Sequence, residues 1–229
     1  MNVKKTREAI LDNSIIIFNE KKPSKVSTVQ IADQMGISPG NLYYYFGNKE
    51  EIIRCIWRER ILKDIQSNSI EFDCINSGGD IVKIFRSTID HIRNYKFFYS
   101  EISTLLNNDS ILRDDMKCSI EENQKKLFSF IRYLIERGLM KQLTTEEMIR
   151  AADSICAISG KAFYSNYAYS FYSEAGDDIV DVLLINIVRG IKPYLTDGCW
   201  KGIIAELNAS GISYEKVTEL LDKNYIRAE

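Results

Sequence analysis

TVQIADQMGISPGNLYYYFGNKE, Thr28 to Glu50, carries two short helical patterns on either side of Gly36. Ser27, just ahead of it, can accept from the amide of Gln30 while the Gln30 side chain reaches back, a capping box that starts a short helix at Thr28. Ile31, Ala32 and Met35 give that helix an apolar side. Gly36 can take the left-handed conformation that closes a helix without steric cost, and Ile37 is placed to plug the core beneath the turn. Ser38 then caps another helix, with Pro39 at its first position, where a missing amide is harmless. Two short helices joined by a glycine turn, with small Ala32 where the axes must approach, are the physical content of a helix-turn-helix.

The second of these helices separates a DNA reader from an ordinary helical hairpin. Its start, Pro39-Gly40-Asn41, lets a sugar-phosphate backbone come close at Gly40 and offers a donor and an acceptor to a base edge at Asn41. Leu42 and Phe46 are expected to pack inward. Tyr43, Tyr44 and Tyr45 complete a run of four aromatics with Phe46, and four consecutive helical positions cannot share one face, so at least one or two must point outward. Their hydroxyls and Lys49 suit phosphates, which fix register without reading sequence.

Working outward, Thr6 to Asn19 repeats apolar or small residues (Ile10, Leu11, Ser14, Ile17, Phe18) at helical steps, a first helix that Pro23 brings to an end. On the other side, Asn48 with Glu51 is a second cap, opening a long helix through Ile52, Ile53, Ile56, Trp57, Ile61 and Ile65. Further helices are expected over 79–94, 95–106, 110–137, 144–172, 177–191, 198–208 and 213–223. Gly138 serves as a stop signal and Thr144 with Glu147 as a start signal. The expected fold class is all-α: a three-helix head over 1–48 that carries the helix-turn-helix, a connecting helix over 49–70, and a larger helical body over 71–229.

The stretch from Thr28 to Glu50 is similar to the DNA-binding signature of the tetracycline-repressor (TetR) family. There an Ile-Ala pair, a Gly-Val/Ile-Ser turn and a G-x-L-Y-x-H-F-x-x-K-E tail recur at this spacing, and more than ten positions match in order. Tyr45 departs from it, standing where the family more often has His. The resemblance implies phosphate contacts at Thr28 and Lys49, a groove-facing start at Ser38, Pro39, Gly40 and Asn41, and contacts along the helix from Tyr43, Tyr44 and Tyr45. It also implies that the helix opening at Asn48 carries a ligand signal to the head. Phe97 to Leu112, FFYSEISTLLNNDSIL, resembles the opening of the regulatory domain in part of the family.

Helix-turn-helix proteins gain affinity by placing two heads about 34 Å apart on successive grooves, so a two-fold homodimer on a palindromic double-stranded operator is expected. The segments 144–172 and 177–191 stand where the family builds its four-helix interface. Ala151, Ile155, Ile158, Ala162, Ile185 and Val188 are the candidates for it, with an internal core helix as the alternative. The body is rich in aromatic residues. A pocket for a small apolar or aromatic effector, with His91, Tyr95, Phe98, Ile102, Phe163 and Tyr167 as its lining, is one reading, and ordinary core packing is the other.

Composition narrows the rest. A chain of 229 residues with 45% hydrophobic content can bury a sizeable core, and three prolines with twelve glycines suit helices. The net charge of −2 hides an asymmetry: residues 1–66 carry eleven Lys and Arg against eight Asp and Glu, a net of +3, and the remainder carries −5. Five scattered cysteines without a CxxC pair, a Lys-rich start and no apolar run near the roughly 20 residues of a membrane span point to a reduced, cytoplasmic setting without a membrane role. His91 is the only histidine, so there is no spare His for a His-based metal site or for Ser-His-Asp machinery, and His91 is expected as a polar helix residue or pocket hydrogen-bonder rather than a catalytic one. The acid pairs Asp114-Asp115, Glu121-Glu122 and Asp177-Asp178 read as solvated surface, and Gly78-Gly79 as a turn. No cofactor and no enzyme activity are expected; the alternatives to an effector-controlled repressor are a DNA-binding protein of this fold without an effector, and a helical-bundle enzyme or carrier.

Overall fold

A computed structural model describes residues 3–67, 74–164, 179–215 and 218–219. It is helical, and among the described residues the only β pairing is an isolated antiparallel bridge between Met140 and Leu195. The chain forms two compact units, one from Met1–Ser69 with His91–Lys117, the other from Ile70–Asp90 with Cys118–Glu229.

In the first unit, α1 (Val3–Lys21) buries Thr6, Ile10, Leu11, Ser14, Ile17 and Phe18, the stripe its sequence spacing dictates. The helices α2 (Thr28–Gln34) and α3 (Pro39–Tyr45) follow, then α4 (Lys49–Ile56). A wide π-turn, Trp57–Ile61, leads from α4 into α5 (Leu62–Ser67). Three consecutive residues of that turn are engaged: Arg58 pairs with Asp115, Glu59 with Arg7, and Arg60 with both Glu8 and Asp12. Asp115 is therefore an ion-pair partner and not the solvated carboxylate expected from sequence. The short helices α7 (Lys96–Ser100) and α8 (Ile102–Asn108) complete this unit with the start of α9 (Ser110–Glu136). The expected single helix over 95–106 is broken at Glu101, whose carboxylate turns to the Ser24 amide at 3.2 Å and hydroxyl at 3.0 Å.

Phe97, Phe98, Leu105, Leu112 and Met116 belong to the same apolar core as Ile10, Phe18, Leu42 and Phe46. Phe18 meets Phe97 with ring centroids 5.3 Å apart, and Trp57 stacks on Phe98 at 5.2 Å with the planes 5° from parallel. Asn19 joins α1 to the gap before α7: its Nδ2 donates to the Asn94 carbonyl at 2.7 Å and its Oδ1 accepts from the Phe97 amide at 3.1 Å. The same helix α1 ends on a strained residue. Lys22 sits at φ 67°, ψ 143°, a region that side chains avoid at a cost of about 1–3 kcal/mol, and Pro23 behind it disfavours the helical alternative.

The second unit is built on α6 (Gly78–Asn94), the later part of α9, α10 (Thr145–Tyr164), α11 (Ile179–Ile191) and α12 (Asp197–Ala209). Gly138 ends α9 at φ 69°, as its position suggests. Thr144 and Glu147 form the expected cap, with the Thr144 amide donating to Glu147 at 2.7 Å. The expected helix over 144–172 is described to Tyr164, and residues 165–178 lie outside the described residues. The tail helix expected over 213–223 lies mostly outside them as well. Gly78 is not in a turn: it opens α6 and lies against α12, where a Cβ would stand 2.1 Å from the Cys199 carbonyl oxygen and 2.6 Å from the Ile203 nitrogen.

Two substitutions test this packing. Gly78→Ala should cost about 1–3 kcal/mol in urea unfolding, because backbone atoms cannot yield as a side chain can, whereas Gly198→Ala, with nothing within 4 Å, should be neutral or stabilise. Lys22→Gly should raise stability by about 1 kcal/mol through release of the backbone strain, and a loss of stability there would contradict the assignment of strain.

Candidate nucleic-acid interface

The caps that position α2 and α3 are formed as their residue types require. Ser27 Oγ accepts from the Gln30 amide at 3.2 Å and Gln30 Oε1 accepts from the Ser27 amide at 2.8 Å. Gly36 has φ 64°, and Ser38 Oγ accepts from the Asn41 amide at 3.2 Å. Behind α3, Asn48 Oδ1 accepts from the Glu51 amide at 2.8 Å while Glu51 takes the Gly47 amide at 2.7 Å. Each bond satisfies an amide that a helix start leaves without a partner.

Leu42 and the helix-ending Phe46 are fully buried, which leaves Tyr43 and Tyr44 turned away from the core. Tyr43 is 50% exposed and Tyr44 73% exposed. Tyr45 is half-buried, its ring edge-on to Tyr44 at 5.1 Å. Ser38 and Gly40 are exposed; Pro39 and Asn41 are half-buried. Thr28 is half-buried too, and its hydroxyl lies 2.8 Å from the Tyr43 hydroxyl, a link between α2 and α3 that sequence reading missed. Among the described residues nothing beyond its own helix lies within 4 Å of a Cβ added at Gly40, so no contact there requires glycine. Lys49 is partly committed: its Nζ donates to the carbonyls of Pro23 at 2.6 Å and Val26 at 3.0 Å, which leaves one of its three N–H donors.

The residues expected to line an effector pocket have separate fates. Phe98 is fully buried against Trp57, and His91 and Tyr95 are buried with ring centroids 5.1 Å apart. Ile102 is half-buried against the same core. The side chain of Phe163 and all of Tyr167 lie outside the described residues. A cleft of about 60 Å³ in this unit is lined by other residues, among them Ser24, Lys49, Glu101 and Asp109. It is far below the roughly 300–1,000 Å³ of a drug-sized site.

The cluster around His91 carries polar groups that matter. His91 Nε2 lies 3.1 Å from the Tyr99 hydroxyl, and Tyr95 donates to Asp64 Oδ2 at 2.5 Å. His91 Nδ1 and Trp57 Nε1 are buried with no hydrogen-bond partner among the described residues, a state that costs about 1–3 kcal/mol for each group. Burial pushes the His91 pKa below its ordinary 6.5, with the Asp64 carboxylate opposing. Sequence periodicity marked Trp57 as a core position, and nothing in it signalled that the indole N–H would be unpaired.

The proposed interface residues Ala151, Ile155, Ile185 and Val188 are buried in the core that α10 and α11 build with the rest of their own unit. Within a single chain they have almost no exposed surface, as the internal core alternative expects. Small and β-branched side chains suit close helix contact in either setting, which is why sequence could not separate the two. The side chains of Ile158 and Ala162 lie outside the described residues.

A family model described as bacterial regulatory proteins, tetR family, matches residues 10–56, and a second, described as a bacterial transcriptional repressor, matches residues 59–199. The chain is 23% identical over 91 residues to the TetC protein of transposon Tn10 from Escherichia coli. That match takes in 40% of this chain and 46% of the relative, so the chain covers about half of that protein's length. Among solved structures, a TetR-family transcriptional regulator from Marinobacter aquaeolei VT8 is similar with a TM-score of 0.75 and 25% identity, over 93% of this chain and 98% of that one. SmeT in complex with triclosan is similar with a TM-score of 0.57 and 17% identity, over 85% and 94%; SmeT is the repressor of the Stenotrophomonas maltophilia multidrug efflux pump SmeDEF. No helix of the described residues is long and apolar enough to cross a membrane, and no group of three or more potential metal ligands occurs among them.

The lowered His91 pKa has a sign that can be measured. The unfolded chain takes up a proton near pH 6.5 and the folded chain does so only lower, so stability falls as pH drops below about 6.5. As this is the only histidine, His91→Phe should flatten the stability profile between pH 7 and 5 in urea titrations; an unchanged slope would mean that His91 is not buried neutral.

Proposed function

This chain belongs to the TetR family of bacterial regulatory proteins, a family of DNA-binding transcription regulators, and we propose that it is a repressor that holds a palindromic operator as a homodimer and releases it on binding a small apolar or aromatic molecule. The observation that carries the DNA-binding part of this reading is the outward set of α3: Tyr43 and Tyr44 exposed while Leu42 and Phe46 are buried. In this reading Ser38, Pro39, Gly40 and Asn41 enter the major groove. Thr28, Tyr43, Tyr44, Tyr45 and the remaining Lys49 donor hold phosphates. Gly40 supports it from a second side, since an exposed helical glycine that the protein does not need is explained by a backbone or base passing close to it. Residues 1–48 make the contact, 49–70 link it to the remainder, and 71–229 sense and dimerise.

The dimer follows from size. One helix of seven residues buries too little to hold a single site tightly, and two heads spaced about one duplex turn restore the affinity. Effector control has an energetic requirement. Driving the population from 1:99 to 99:1 takes about 5.5 kcal/mol of preference for the released form, and the connecting helix, which begins three residues after α3, is the element through which that preference reaches the head. That SmeT forms a complex with triclosan is consistent with a small apolar effector for a protein of this fold.

Fluorescence anisotropy with a duplex selected from random sequence tests the reading. Affinity should fall steeply with salt, because each phosphate contact releases counterions. Asn41→Ala should cost about 1–3 kcal/mol of binding, Tyr43→Phe and Gly40→Ala should weaken binding, and all three should keep the thermal stability of the parent or exceed it. Sedimentation should give twice the 26.4 kDa of one chain. A monomer, or a protein that ignores every duplex at low salt, would refute the proposal.

A further inference from the structure

Two hydrogen-bonding atoms are stranded in one aromatic cluster of the first unit. Trp57 stacks on Phe98, Phe98 meets Tyr99 edge-on at 5.7 Å, and Tyr99 and Tyr95 flank His91 at 6.1 and 5.1 Å. Along this chain of rings, Trp57 Nε1 and His91 Nδ1 are the polar atoms without a partner among the described residues. Trp57 is 3% exposed and His91 8%. Folded proteins leave few such groups, and those they keep call for a specific explanation, a bound molecule being one. The explanation here has a chemical signature. An indole N–H can only donate, and in the tautomer where Tyr99 donates to Nε2, His91 Nδ1 carries a second N–H.

We propose that this cluster is the effector site and that its effector is a neutral, ring-bearing molecule presenting a carbonyl or ether oxygen, which accepts from Trp57 Nε1 in place of part of the Phe98 contact, with His91 Nδ1 as a second donor in the same cluster. The inference rests on the effector-controlled reading given above. Rings on all sides favour a flat apolar body. Asp64, already holding the Tyr95 hydroxyl, repels an anion, and a cation brings no acceptor for the two N–H groups. The site is closed in this structure, with Phe98 stacked on the indole, and a ligand selects the form in which that ring has moved. Trp57 opens the π-turn of the connecting helix and Asp64 lies just beyond it, so a molecule seated between Trp57 and Phe98 acts directly on the helix that leaves α3.

The chain has two tryptophans, so ¹⁵N-labelled full-length protein gives two indole N–H resonances, with Trp200 as the internal control. Titration with acetophenone, ethylbenzene, benzoate and benzylamine compares one ring with a neutral acceptor, no polar group, an anion and a cation. The proposal expects acetophenone to shift the Trp57 signal saturably and to leave Trp200 in place, with the other three at least tenfold weaker. His91→Phe and Trp57→Phe should each weaken acetophenone binding at least tenfold, and if either variant fails to fold the wild-type titration decides alone. Ethylbenzene binding as well as acetophenone, benzoate or benzylamine binding more tightly, or a Trp57 signal unmoved by acetophenone at its solubility limit would each overturn the proposal while leaving DNA binding and effector control untouched. Acetophenone that binds as expected without lowering DNA affinity would uphold the site and count instead against effector control.

Discussion

Leu42 on α3 and Phe46, the extended residue that ends it, are both removed from water by the core they share with α1, α2 and α4. Each apolar side chain buried in this way is worth about 1.5–3 kcal/mol, so rolling α3 to bring its tyrosines inward would forfeit several kcal/mol with nothing to replace them. The outward direction of Tyr43 and Tyr44 is thus set by the residues on either side of them. Gly36 and the Ser38 cap then fix where the helix begins, and the exposed Thr28 to Tyr43 hydroxyl pair links α2 and α3 at the surface.

The same core continues beyond the head. Trp57 on Phe98, Phe18 on Phe97, Asn19 at the gap before α7 and the Arg54 to Asp109 ion pair hold residues 95–116 against the helices that carry α3. The connecting helix is held on both sides at its π-turn, by Arg7, Glu8 and Asp12 from α1 and by Asp115 from α9. A wide turn of this kind is rare inside an α-helix and occurs often at functional positions. Here it presents Arg58, Glu59 and Arg60 to partners on different helices. A change in the packing at 95–99 therefore meets the connecting helix at its least regular turn.

Local chemistry made much of this legible in advance. The Ser27, Ser38, Asn48 and Thr144 caps and the glycine ends at Gly36 and Gly138 follow from short-range rules, because their partners are close in sequence, and the inward pair Leu42 and Phe46 follows from their four-residue spacing. What escaped depends on residues far apart in the chain. Asp115 looked solvated because Arg58 is distant in sequence, Gly78 looked like a turn because Cys199 and Ile203 are more distant still, and the helix over 95–106 looked continuous because Ser24 draws Glu101 away from it. Ala151, Ile155, Ile185 and Val188 were apolar at helical spacing, which identifies a buried face without saying whether the chain itself or a second copy covers it.

The exposed face of α3 is the proposed contact with the duplex, and hydrogen exchange reads that face directly. On adding an operator duplex, the backbone amides between Thr28 and Lys49 should slow, most strongly from Gly40 to Tyr44, while amides of α12 keep their rates. Protection that falls elsewhere, or rates in α2 and α3 that do not change with DNA bound, would contradict that contact.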